Sequence, residues 1–311
     1  MSLATAAPGL AARILDARAR LAPIAAEYPF TPRFHAQPHG AGTLLQHFVD
    51  EGPRGGEALL FVHGNPTWSF AFRRAIRALS NERRCVAVDH VGCGLSDKPA
   101  DFRYTLAQHV ANLERLVLAL DLERIHLVVH DWGGPIGLGF ARRHPERIAS
   151  LTLTNTAAFA LDGALPLRLA ACRWPVFGAL AIRGFNAFAR AATWMAVERP
   201  LAPLVKRGYL LPYDSWANRI ATHEFVRDIP LAPGDPACEE LAAIERDLAL
   251  FHAHPVQLLW GARDFVFSTK FLDQWRRHFP RAPVACWDDA GHYLFEDRAE
   301  DFVAALRAFP R

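Results

Sequence analysis

The chain has 311 residues, 51% hydrophobic and 22% charged, a globular composition with ample material for a large core. Its 35 basic and 32 acidic residues leave a formal charge of +3, too even a balance to argue for a nucleic acid partner. The five cysteines, Cys85, Cys93, Cys172, Cys238 and Cys286, are odd in number and form no C-x-x-C pair, so a disulfide framework is not expected and the reducing cytoplasm is the expected setting. No His/Cys cluster has zinc spacing, and neither a metal nor another cofactor is expected. No apolar run approaches the roughly 18 residues that span a bilayer, and the N-terminus lacks a continuous apolar signal segment.

Residues 1–27 read as an extension. In "LAARILDARARLAPI", Leu10, Ile14, Ala17 and Leu21 fall on one helical face, with Arg13, Arg18 and Arg20 elsewhere. Such a helix either docks on its own domain or touches a partner protein or membrane surface. From residue 28 to 158, apolar runs of strand length alternate with helical stretches. "EALLFVHG" is followed by "SFAFRRAIRALSNE", "RCVAVDHVG" by "TLAQHVANLERLVLALDL", and "RIHLVVHD" by "PIGLGFARRHPERI" and then "IASLTLTN". This alternation predicts βαβ units and a mostly parallel sheet flanked by helices, an α/β architecture. Between about 159 and 232 the rhythm gives way to helical pieces rich in Trp and Phe, with no clear strand. A helical insertion there would cover the carboxyl ends of the strands, where such sheets bind ligands, and is expected to act as a lid. Alternation resumes over 233–311 with "HPVQLLWGARD", "STKFLDQWRRHFP", "APVACWDDAGH" and a last helix, "DRAEDFVAALRAF".

Three residues fall where a nucleophile, an acid and a base are expected. Asp131 in "VVHDWGGPIG" lies between a strand and a helix, with Gly133 and Gly134 behind it. Such an elbow needs small neighbours because its backbone is strained and the helix packs close. Val129, two residues before the nucleophile, departs from the usual small residue there. Asp264 follows the strand "VQLLWGAR", and His292 sits in a loop after the last strand. The chain order is that of α/β-hydrolases. His292 can act as base toward water, and Asp264 can fix its tautomer. Asn65, after "FVHG", and Trp132, whose indole N–H can only donate, supply two donors for a leaving anion. Serine at the elbow would attack a carbonyl. A carboxylate instead displaces a leaving group at an sp3 carbon, forming an alkyl ester.

These residues resemble the haloalkane dehalogenase group of α/β-hydrolases. The resemblance runs through "HGNPTWSF", "DHVGCGLSDKP", "HDWGG", "LTNTAAF", "WGARDF" and "AGHYLFED", and covers nearly all of the chain after about residue 28. It implies Asp131 as nucleophile, His292 as base, Asp264 as acid, and Asn65 with Trp132 as donors to the leaving anion. One subfamily keeps its acid after the sixth strand. This chain has Asn155 there and no carboxylate until Asp162, so Asp264 takes that role and the pattern looks like the third subfamily. It is also similar to the cis-β-lactone decarboxylases of bacterial long-chain olefin biosynthesis. The resemblance therefore implies decarboxylation of a cis-3-alkyl-4-alkyl β-lactone (oxetan-2-one) to a cis-alkene and CO2, with haloalkane hydrolysis as the alternative. Epoxide hydrolases of the same fold use lid tyrosines, for which Tyr209 and Tyr213 are the candidates; a non-catalytic scaffold is a further reading. The implied partners are a small apolar substrate, other enzymes of the same pathway, or a membrane surface met weakly through the N-terminal helix.

Overall fold

The computed structural model describes residues 9–159, 167–230 and 234–309. Among the described residues, eight strands form one sheet: β1 (Arg33–His39), β2 (Gly42–Glu51), β3 (Glu57–Val62), β4 (Arg84–Val88), β5 (Arg124–His130), β6 (Ile148–Thr154), β7 (Val256–Gly261) and β8 (Val284–Trp287). Their spatial order is β1-β2-β4-β3-β5-β6-β7-β8. From β4 to β8 every pairing is parallel, whereas β1 and β2 pair antiparallel with each other and β2 pairs antiparallel with β4. The two antiparallel strands are absent from the sequence reading. Pro38, His35 and His39 give β1 no apolar rhythm, and its partner was hidden with it.

Helix α1 (Leu10–Leu21) precedes the sheet, and α2 (Arg73–Leu79), α3 (Leu106–Ala119) and α4 (Gly133–Arg143) occupy the crossovers. Alternate residues of the strands feed two cores. Ala58, Leu60 and Val62 of β3 join Leu127, Val129 and residues of α3 and α4 on one face. Leu59 and Phe61 join Ala75, Ile76 and Leu79 of α2 on the other, with Ala17 and Leu21 of α1. The N-terminal helix is thus docked on its own domain. Arg13 donates to the Leu95 carbonyl and pairs with Asp97, and Arg20 pairs with Asp214. Residues 1–8 of the extension lie outside the described residues.

Between β6 and β7 a helical cap is built from α5 (Leu167–Cys172), α6 (Pro175–Gly178), a π-helical turn (Ala179–Gly184), α7 (Ala187–Met195), α8 (Pro203–Leu210) and α9 (Ile220–Arg227). Residues 160–166 and 231–233, at the two ends of the expected lid and including Asp162, lie outside the described residues. The chain then returns through α10 (Pro236–Asp247), whose Ala237 and Ile244 share the core of α3 and α4. It ends with α11 (Thr269–His278), α12 (Leu294–Asp297) and α13 (Ala299–Ala308). Among the described residues, no helix is long and apolar enough to cross a membrane.

Candidate active site

Asp131 directly follows β5, in the centre of the sheet, and takes φ of +52°. This left-handed geometry strains a residue with a Cβ, and neighbours on every side hold it. Its N–H donates to the Asn155 carbonyl (3.1 Å), its carbonyl accepts from Gly134 N–H (2.9 Å), and Thr156 Oγ1 donates to the same carbonyl (2.5 Å). Close approach explains the glycines around it. A Cβ on Gly64 would lie 2.1 Å from Asp131 Oδ1, and one on Gly133 would lie 1.9 Å from the Val62 carbonyl oxygen. The larger Val129 is accommodated from α4, where Gly137 leaves room: a Cβ there would lie 2.7 Å from Val129 Cγ1.

The two carboxylate oxygens of Asp131 meet different surroundings. Oδ1 accepts the Asn65 backbone N–H at 2.7 Å, and the Trp132 N–H also donates to the carboxylate. Oδ2 faces His292 Nε2 at 3.8 Å, beyond hydrogen-bond range. Burial pushes the Asp131 pKa up, against the opposing pull of His292 and the two backbone donors. His292 Nδ1 lies 2.7 Å from Asp264 Oδ2, which fixes the Nδ1–H tautomer and leaves Nε2 toward Asp131. Burial opposes the imidazolium, but the charge and hydrogen bond of Asp264, with the charge of Asp131, outweigh it and hold the His292 pKa above the ordinary value.

Asp264 is itself held on both oxygens. Oδ1 accepts from the N–H groups of Val266 (2.7 Å) and Phe267 (3.1 Å), and Oδ2 accepts from Asn155 Nδ2 (2.9 Å). Asn155 also exchanges hydrogen bonds with Gly261, its Oδ1 accepting from the Gly261 N–H and its Nδ2 donating to the Gly261 carbonyl. Asn155 is thus a buried brace for the acid. The sequence marks its position at the end of β6, but its role depends on β6 and β7 being neighbours in the sheet.

Asn65 and Trp132 both line a cavity of about 630 Å³ that also contains Asp131 and His292. One N–H of Asn65 Nδ2 is committed to the Thr222 carbonyl in the cap at 3.1 Å, which leaves the second available. The Trp132 indole N–H has no partner among the described residues, and its ring packs on Phe225 of α9. The remaining walls are mostly apolar, including Ile182, Phe188 and Met195 from the cap and Phe267, which lies parallel to the His292 ring. Tyr209 and Tyr213 are not among the lining residues. Tyr209 donates to Glu296, and Tyr213 donates to the Thr67 carbonyl. Among the described residues no group of His, Cys, Asp and Glu side chains could hold a metal.

A strained strand-to-helix turn presenting Asp131, with Asp264 after β7 and His292 after β8, defines the class: the chain belongs to the α/β-hydrolase fold family, whose model matches residues 57–299. Within that family it is 45% identical over 269 residues to a cis-3-alkyl-4-alkyloxetan-2-one decarboxylase of Shewanella oneidensis, covering 85% of this chain and 84% of that protein. A decarboxylase of the same name from Xanthomonas campestris pv. campestris is 42% identical over 293 residues, covering 91% and 96%. The solved structure of the haloalkane dehalogenase DatA from Agrobacterium tumefaciens is similar at 27% identity with a TM-score of 0.77, covering 89% of this chain and 96% of that one.

Proposed function

We propose that the protein is a β-lactone decarboxylase that converts a cis-3-alkyl-4-alkyloxetan-2-one to a cis-alkene and CO2. The observation that carries this reading is its 45% and 42% identity to two decarboxylases of that substrate, against 27% to the dehalogenase DatA over similar spans. In the proposed reaction Asp131 Oδ2 attacks the sp3 ring carbon bonded to the ring oxygen, and the carbon–oxygen bond breaks. The departing carboxylate takes up hydrogen bonds from the free Asn65 Nδ2–H and the Trp132 indole N–H. The carbon–carbon bond to that carboxylate then cleaves, its electrons form the alkene, and Asp131 leaves as carboxylate with CO2. Inversion followed by anti elimination carries a cis lactone to a cis alkene. No step consumes water, so the lactone route requires no general base.

The same first step on a haloalkane would expel halide, and His292 would then activate water against the ester. The likeness to DatA favours this as the second reading. An epoxide hydrolase would need a free lid hydroxyl in the cavity, whereas the Tyr209 and Tyr213 hydroxyls both donate elsewhere. An odd number of cysteines with no C-x-x-C pair supports a reducing cytoplasmic setting. The deciding experiment incubates the purified protein with a synthetic cis-dialkyl β-lactone and, separately, with a bromoalkane. Alkene and CO2 from the first with little bromide from the second is the expected outcome; bromide release without alkene would overturn it.

A further inference from the structure

The outer surface of the cap is chemically unlike the rest of the molecule. Of eleven large apolar side chains exposed among the described residues, seven lie between residues 174 and 216. Trp174, Phe177, Leu180, Phe185, Trp194 and Trp216 are between 46% and 75% exposed. Scattered exposed leucines are ordinary, but aromatic rings concentrated on one element signal a contact surface. Between residues 167 and 197 there are four arginines and no carboxylate. The Arg183 guanidinium lies 4.6 Å over the Trp216 ring. Arg190 and Trp194 are both exposed and four residues apart, on one side of α7. Neither Arg183 nor Arg190 has an ion-pair partner among the described residues. The other side of α7 supplies Phe188 and Met195 to the cavity, and the π-helical turn supplies Ile182, so the same segments face the substrate space within and the solvent without.

We propose that this outer face of the cap seats the protein on an anionic lipid bilayer. Tryptophan and phenylalanine partition to the headgroup level of a bilayer, and arginines without carboxylate partners attract anionic headgroups. A second copy fits poorly. A two-fold contact would bring Arg183 and Arg190, neither of them ion-paired among the described residues, toward the same arginines of the second copy. The position of the cavity supplies a reason for the contact. The inner side of the same α7 and π-helical turn borders the substrate space, so an apolar dialkyl substrate dissolved in lipid would be met next to the segments that enclose it. Only this last argument rests on the decarboxylase reading.

The test is co-sedimentation of the full chain with vesicles of phosphatidylcholine alone and of an equal mixture of phosphatidylcholine and phosphatidylglycerol. Pelleting with the mixed vesicles, little with phosphatidylcholine alone, and release at high salt are expected. R190E, and separately F185S with W194S, should each lower affinity for the mixed vesicles about tenfold or more, while melting temperature and turnover of a short-chain soluble substrate stay unchanged. Absence of pelleting on mixed vesicles, or pelleting that both variants leave intact, overturns the proposal. So does a concentration-dependent dimer that the same variants dissolve, which would assign the face to a second copy. Because turnover is measured apart from vesicle binding, failure here and failure of the decarboxylase reading are distinguishable.

Discussion

Asp131 combines a left-handed backbone with a buried carboxylate, one oxygen under the Asn65 N–H and the other toward His292. Burial raises its pKa, so the folded chain binds this proton more tightly than the unfolded chain does. Stability therefore falls as pH rises from the ordinary aspartate value of about 4 through the raised one, and stays lower above it. Asp131→Asn keeps an acceptor for the Asn65 N–H and removes the charge. This variant should be inactive yet melt at a higher temperature than the parent at pH 7, with the advantage shrinking toward about pH 4. Calorimetry at the two pH values checks the sign, and a lower melting temperature at pH 7 would contradict it. Asp131, His292, Asp264, Asn65 and Trp132 were legible because each sits in a short string whose chemistry is local. Asn155 was legible only as a position without a carboxylate. Its hydrogen bonds to Asp264 and Gly261 cross between strands about a hundred residues apart in the chain.

The elbow is built by a strand and a helix together. Val129 of β5 occupies space that a smaller residue would leave empty, and Gly137 of α4 yields that space. The pair is a steric trade that the string "VVHDWGGPIG" contains but does not announce, because the contact follows from how α4 packs on β5. Gly137→Ala should destabilise the protein by about 1–3 kcal/mol through overpacking. Adding Val129→Ala should recover much of that loss, a coupling that a double-mutant cycle in urea measures; two independent, additive effects would refute the trade. The parallel strands were visible as apolar runs because they are buried on both faces. The antiparallel edge was not. β1 lies at the edge with a mixed exposure pattern, and its register against β2 is set by the turn at Gly40 rather than by a hydrophobic period.

Across the whole molecule, cap and core are joined by a buried charge cluster that no local string reveals. Arg73 of α2 is fully buried, pairs with Glu296 of α12 and donates to Glu27, while Tyr209 of the cap donates to the same Glu296. Tyr209 also stacks on Tyr293, the residue after His292. Arg73→Met would leave the buried Glu296 carboxylate with only the half-exposed Arg74 guanidinium, 3.9 Å away, and should cost up to about 3–5 kcal/mol. Removing both charges, as in Arg73→Met with Glu296→Leu, should cost less than the single change. Urea unfolding of the variants tests this, and a double variant weaker than the single would count against the pairing as the source of the loss.

The hydrogen bond from Asn65 Nδ2 to the Thr222 carbonyl has a consequence of its own. One amide group thus belongs at once to the cavity wall and to the seam between cap and core. In the proposed reaction the bond that closes the seam would also aim the second N–H at the departing anion, so that enclosing the substrate and assisting its leaving group would be a single event.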